Sequence, residues 1–273
     1  VLFIEEMGYV AAPGQFFASV ALFAPLLAAL EHELLDAVLE GEATGTVALA
    51  GGDGLWVVND EPVKTFVPEA DRVDWIAVVS SGPTVAIVPA DHVQTRLVPI
   101  VDYSRRLFEV DAGDVGADAE PLDASDLAGV IERATVALSA EMGGTARRLF
   151  DMALEYAKQR FQFDVPIGSF QAIQHRLADC SLGVERAQSA AQYAAMALDA
   201  DDDDRERAVH VAKAAAGNAA KRAAKDSAQI HGGIGYTWEH DLHLFLRRAY
   251  GSEPWMGNTA WHHDRLADLL FDR

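Results

Sequence analysis

Arg160-Phe161-Gln162-Phe163-Asp164-Val165-Pro166-Ile167-Gly168-Ser169-Phe170-Gln171-Ala172-Ile173-Gln174 separates two long helical patterns, and its reading decides the fold. Upstream, residues 123–159 read as one amphipathic helix, with N-cap candidates in Asp123-Ala124-Ser125-Asp126. Downstream, residues 170–198 read as a second helix and residues 205–230 as a third, Ala-rich and able to pack closely. His231-Gly232-Gly233 ends the third, as glycine does at helix C-termini. Residues 241–248 and 258–271 supply shorter closing helices, so residues 122–273 read as a four-helix-type bundle. The connector at 160–174 and the segment Gln229-Ile230-His231-Gly232-Gly233-Ile234-Gly235-Tyr236 interrupt this pattern with Arg, Gln and Gly. A bundle has no packing need for them there, and ligand contact accounts for both.

Before the bundle the pattern changes. Residues 46–50, 55–58, 75–79, 85–88 and 95–98 are short and rich in Val, Ile and Trp. Gly51-Gly52-Asp53-Gly54 and Ser81-Gly82-Pro83 separate them, so residues 41–121 read as a small antiparallel β domain, a barrel or sandwich. Residues 1–40 read as helices, with Phe3, Met7 and Val10 on one face and a break at Pro13-Gly14. The expected fold class is therefore multi-domain α+β and mostly α. The chain opens inside an amphipathic pattern without an initiator Met, so the reading expects a preceding segment.

The chain has 273 residues, half of them hydrophobic, which is enough for a sizeable core. A net charge of -20 argues against nucleic acid or anionic membrane as the main partner. It leaves room for a phosphate-bearing cofactor held by one Arg and backbone amides. No apolar run approaches the ~18 residues of a membrane span. The single cysteine, Cys180, reads as a buried structural thiol in a reducing, cytoplasmic setting. Asp201–Asp204 read as a solvated loop, and His262-His263 point in different directions and form no metal pair.

Arg160-x-x-Phe163, Pro166-Ile167 and Phe170-Gln171-x-x-Gln174, followed by Gln229-x-x-Gly232-Gly233-x-Gly235, resemble the C-terminal domain of the FAD-dependent acyl-CoA dehydrogenases. The resemblance implies that Arg160 contacts the FAD pyrophosphate, which suits a bidentate guanidinium. It also implies that Phe163 packs on the cofactor and that Gln171 contacts its ADP half. Gln229, Gly232 and Gly233 would serve a flavin bound mainly to a neighbouring subunit, where close backbone approach needs residues without Cβ. In the β domain, Glu61-Pro62-Val63-Lys64-Thr65-Phe66-Val67-Pro68 with Trp75-Ile76-Ala77-Val78 resembles the strand motif near the flavin ring. Phe66 stands in the place of the flavin-facing aromatic, or is an ordinary core Phe. The family's Thr-Glu-Pro segment is not recognisable near Val47-Ala48-Leu49-Ala50.

The family's reaction needs a carboxylate to remove the proton α to the thioester. Counting without gaps from Gly232-Gly233 places Met256 of Trp255-Met256-Gly257-Asn258 where the family carries its Glu, and Met accepts no proton. Glu253 is one replacement, reached through a local gap. Glu141, in Ala140-Glu141-Met142-Gly143-Gly144, is the other, with desolvation expected to raise its pKa. The alternative for Glu141 is a solvent-facing carboxylate paired with Arg147 or Arg148. Glu132 and Arg133 lie where family members contact the CoA chain. The resemblance is closest to a short subunit of the actinobacterial heteromeric, steroid side-chain type. It implies α,β-desaturation of an acyl-CoA, a hetero-tetramer with a homologous subunit or a homo-oligomer, and electron-transfer flavoprotein as acceptor. The alternative is a non-catalytic partner that completes a homologue's flavin site.

Overall fold

In the computed structural model, which describes residues 1–111, 113 and 119–271, the longest element is α4 (Ala124–Gln159). Asp123 starts it by accepting from the Ser125 amide at 2.8 Å, as an N-cap does. Leu127, Val130, Ala134, Leu138, Met142, Ala146 and Leu149 recur every three to four residues along its buried face. A two-stranded hairpin, β8 (Phe161–Gln162) with β9 (Val165–Pro166), reverses the chain into α5 (Gln171–Asp199). Next comes α6 (Arg205–His231), which buries Ala212, Ala216, Ala219, Ala220 and Ala223; small side chains let its neighbours approach. Gly232 takes φ +62 after it, a left-handed backbone that favours glycine. Finally α7 (Leu242–Ser252) and α8 (Thr259–Phe271) close the bundle.

At the other end of the chain, α1 (Leu2–Tyr9) crosses α4 at backbone contact. A Cβ on Gly144 would lie 1.9 Å from the Glu5 carbonyl oxygen, and one on Gly8 1.9 Å from that of Glu141. The crossing also overturns the expected apolar face of α1. Phe3 and Val10 are exposed, because Glu5 and Gly8 are the residues turned to α4. A π-helical turn (Phe17–Phe23), α2 (Ala24–Ala29) and α3 (Leu34–Glu40) then supply Leu22, Phe23, Leu26, Leu27 and Val38 to the main core.

The β region forms two sheets with no closed barrel among the described residues. One holds β1 (Gly45–Ala48), β3 (Trp75–Ser80), β4 (Thr84–Pro89) and β7 (Glu120–Pro121) in the order β1-β3-β4-β7. The other holds β2 (Val63–Pro68), β6 (Leu107–Asp111) and β5 (Gln94–Val98) in the order β2-β6-β5. The expectation of an antiparallel region is corrected at one pair: β1 runs parallel to β3. Residues 55–58 are no strand; Trp56 instead turns inward against Trp255, ring centroids 6.1 Å apart. No helix among the described residues is long and apolar enough to cross a membrane.

Candidate active site and cofactor-binding end

The two polar motifs of the bundle come together at one end of it. Ala153 and Ala157 of α4, Leu177 of α5 and Ile230 of α6 form a small shared core there. Tyr156 stacks on His231 at 4.4 Å, tying the end of α4 to the end of α6. On this base the hairpin holds Phe163 outward, 87% exposed and at φ +54. Arg160, Gln171, Gln229 and Gly233 are exposed beside it. The Arg160 guanidinium enters no ion pair among the described residues, although its backbone is fixed by the amide bond to the Tyr156 carbonyl at 2.8 Å. A Cβ on Gly232 or Gly233 would meet nothing within 4 Å, so the backbone there is open to close approach. This is a preorganised surface with an unused cation, hydrogen-bonding amides and an exposed ring. It suits a dinucleotide's phosphates and base.

Phe66 lies elsewhere. Its strand places it at φ +53 in the wall of a cavity of about 440 Å³, with Leu55, Ile100, Tyr250, Trp255 and Trp261. The setting is aromatic and apolar and fits a flavin ring; Asp53 is the one carboxylate in the wall among the described residues. Trp255 and Met256 form the loop between α7 and α8, with Met256 buried at φ +58. That loop is pinned from below. The Lys213 amine donates to the Glu253 carbonyl at 3.0 Å and to the Gly257 carbonyl at 2.7 Å. Burial pushes this lysine down to about 7.

Glu141 is 4% exposed and is not the solvent-facing residue of one reading, nor paired with Arg147 or Arg148. Its Oε1 accepts from Arg105 Nη2 and Arg248 Nη1. Asp102 adds a second acid 2.8 Å from Arg248 Nε. Burial pulls the Glu141 pKa upward, but the two guanidiniums outweigh it and hold the carboxyl below its usual range. The expected rise is therefore reversed. The adjacent cavity is only about 20 Å³, room for a single water and no acyl chain. Gly144, three residues on from Glu141, serves the α1 crossing.

Glu253 is also committed. Its Oε1 accepts from Lys221 Nζ at 2.7 Å, from the Thr259 amide at 3.0 Å and from the Thr259 hydroxyl at 2.7 Å. Burial raises its pKa, but the Lys221 and Thr259 bonds prevail and hold it below the usual range. It caps the start of α8. Cys180 is buried and its thiol is pushed up to about 12, chiefly by burial, which makes it inert. His262 is buried while His263 is exposed, as adjacent helical positions require.

Sequence reasoning missed Arg105, Arg248 and Asp102 as partners of Glu141. It also missed His210 and Lys213 beneath the Met256 loop. Each is a lone polar residue in an ordinary local pattern, and only the fold brings them together.

Residues 129–271 match the model of the acyl-CoA dehydrogenase C-terminal domain. The chain is 32% identical to the acyl-CoA dehydrogenase IpdE2 of Mycobacterium tuberculosis over 91% of its length and 70% of that protein's. It is 36% identical to FadE34 of the same organism over 84% of its length and 32% of that protein's. The fold superposes on the ChsE4-ChsE5 complex from Mycobacterium tuberculosis with a TM-score of 0.88 at 25% identity, covering 98% of this chain and 79% of the other. A second match is the Tcur3481-Tcur3483 steroid ACAD, at TM-score 0.86 and 25% identity, covering 99% of this chain and 80% of the other. The chain belongs to the acyl-CoA dehydrogenase family, the FAD enzymes that its bundle motifs resemble.

Proposed function

We propose that this chain is one subunit of a heteromeric FAD-dependent acyl-CoA dehydrogenase, in which it completes the flavin site of a homologous partner. The observation that carries this reading is the division of its polar groups. Arg160, Phe163, Gln171 and Gln229 stand exposed at one end of the bundle, whereas Glu141 and Glu253 are both closed into internal pairs. Met256, on the loop between them and the Phe66 cavity, accepts no proton. The reaction is α,β-desaturation of an acyl-CoA thioester, with a steroid side-chain CoA ester as the substrate class. The similarity to the steroid ACAD pair and to the ChsE4-ChsE5 complex supports both the pairing and the substrate. The complex is cytoplasmic and passes electrons to an electron-transfer flavoprotein.

When bound, FAD would supply the hydride acceptor for the β-carbon. Arg160 would neutralise its pyrophosphate, Phe163 would cover it, and Gln171 and Gln229 would hold the ADP half beside Gly232-Gly233. In a chain that holds a flavin of its own, Phe66 and Trp255 would pack on its ring in the 440 Å³ cavity and exclude water from it.

A second reading keeps the chemistry in this chain, with Glu141 or Glu253 as base. The 440 Å³ cavity at Phe66 favours it, because a purely supporting subunit has no need of one. Glu141→Gln and Glu253→Gln in the co-expressed complex decide between the two. Turnover per bound flavin stays within about twofold under our reading. A fall of ~10²–10⁴-fold in either variant transfers the base to this chain.

A further inference from the structure

A second cavity, of about 190 Å³, lies across Leu55 and Trp261 from the Phe66 cavity, and those two residues line both. Trp56, Ile131, Val209 and Met256 make its walls mostly apolar, and Glu132, Thr135, Glu206, His210 and His262 add polar groups.

The two histidines fix each other's protons. His262 Nε2 lies 3.0 Å from the Met256 carbonyl oxygen. A carbonyl only accepts, so Nε2 carries the hydrogen. Burial and the neighbouring Lys213 push His262 down to about 3, so the ring is neutral and its Nδ1 is a bare lone pair. That Nδ1 lies 2.8 Å from His210 Nδ1, which must therefore donate. His210 is neutral as well, pushed down to about 4 mainly by burial. Its remaining nitrogen, Nε2, carries a lone pair with no hydrogen-bond donor among the described residues. The Met256 carbonyl, acting through two rings, thus leaves Nε2 of His210, a cavity-lining residue, as an acceptor. Two carboxylates compete as acceptors: Glu132, whose Oε2 faces Arg205 Nε at 3.5 Å, and the exposed Glu206.

We propose that this cavity receives a hydrocarbon group bearing a hydroxyl, whose O–H donates to Nε2 of His210. A mostly apolar cavity with a neutral, oriented acceptor selects for such a ligand, because a hydroxyl lacking its acceptor is buried unpaired. That this group is part of an acyl-CoA rests on the function proposed above; the preference for the hydroxyl does not.

The test uses the full chain, ¹⁵N-labelled at histidine, with cyclohexanol and methylcyclohexane as probes. NMR reports His262 protonated at Nε2 and His210 at Nδ1, and cyclohexanol shifts the His210 Nε2 signal. His210→Phe weakens cyclohexanol ~10-fold and leaves methylcyclohexane unchanged, whereas Glu132→Gln and Glu206→Gln each keep the wild-type difference. The proposal is overturned by a His210 proton on Nε2, by binding of neither probe, or by equal effects of His210→Phe on both. It is also overturned if Glu132→Gln or Glu206→Gln, and not His210→Phe, removes the preference. No flavin is needed for these readings, so a failure here is separate from a failure of the functional proposal, which the flavin spectrum of the partner complex reports.

Discussion

Around Glu141, two acids and two bases from α4, α7 and the β5–β6 connection meet in the interior: Glu141 and Asp102 against Arg105 and Arg248. At the Arg160 end of the bundle, an arginine, a phenylalanine and two glutamines face outward without internal partners. The first region uses charge to lock three parts of the chain together. Arg248 also bonds the Ala12 carbonyl at 3.1 Å and the Ser104 hydroxyl at 2.9 Å, so it ties the N-terminal segment to the β region. The second region contributes little to folding and is available to something outside the chain. Buried charge in this protein marks architecture, and under the proposed function the exposed, unpartnered charge of Arg160 serves recognition.

The largest expected effect breaks the lock. Glu141→Ala leaves two guanidiniums buried without their shared acid and costs about 3–5 kcal/mol of stability. Thermal unfolding reads this as a fall of roughly 10 °C; an unchanged midpoint removes the lock from the account. Next in size is acid sensitivity. His262 and His210 titrate at about 3 and about 4 in the fold, against an ordinary value of 6.5. The unfolded chain therefore binds the extra protons first, and stability falls as pH drops from 6.5 toward 4, by up to a few kcal/mol. Lys213, at about 7 against 10.5, has the same sign in another window: stability rises as pH goes from 7 toward 10.5. Urea titrations across pH measure both, and the Lys213→Met variant is expected to lose the alkaline rise.

Gly144→Ala comes third. Its Cβ would collide with the backbone of α1, not with a pliable side chain, and the shift costs about 1–3 kcal/mol. A cost near zero in chemical denaturation shows that α1 can move off α4. The smallest stability effect belongs to the open end. Arg160→Ala changes stability by no more than ~0.5 kcal/mol. In the partner complex the same substitution lowers flavin affinity ~10–100-fold, as loss of a charge-assisted phosphate contact does. If Arg160→Ala destabilises the chain as Glu141→Ala does, the contrast between the two regions fails.

The bundle was legible in the sequence because its signals are local. The period of α4, the Asp123 cap and the Gly232 stop lie within a few residues of what they control. The exposed polar connector was legible for the same reason, since Arg160 to Gln171 is one continuous stretch of chain. The α1 face was misread because Glu5, a charged residue, is buried by Gln188 and Arg147, which come from distant helices. Trp56 sits in a run that suits a strand, yet its ring is held by Trp255 some two hundred residues away. The parallel pairing of β1 with β3 follows from a crossover that no short pattern encodes. The protonation of Glu141 was misjudged because burial alone was considered, and the two arginines that reverse its effect lie 36 and 107 residues from it.

The most direct test is the visible absorbance spectrum of the purified chain, alone and after co-expression with its most similar encoded homologue. A chain that supplies one end of a shared site is colourless alone and co-purifies with the partner as a complex showing a flavin spectrum. A full flavin spectrum from the chain by itself would contradict the shared site and establish a self-sufficient homo-oligomer.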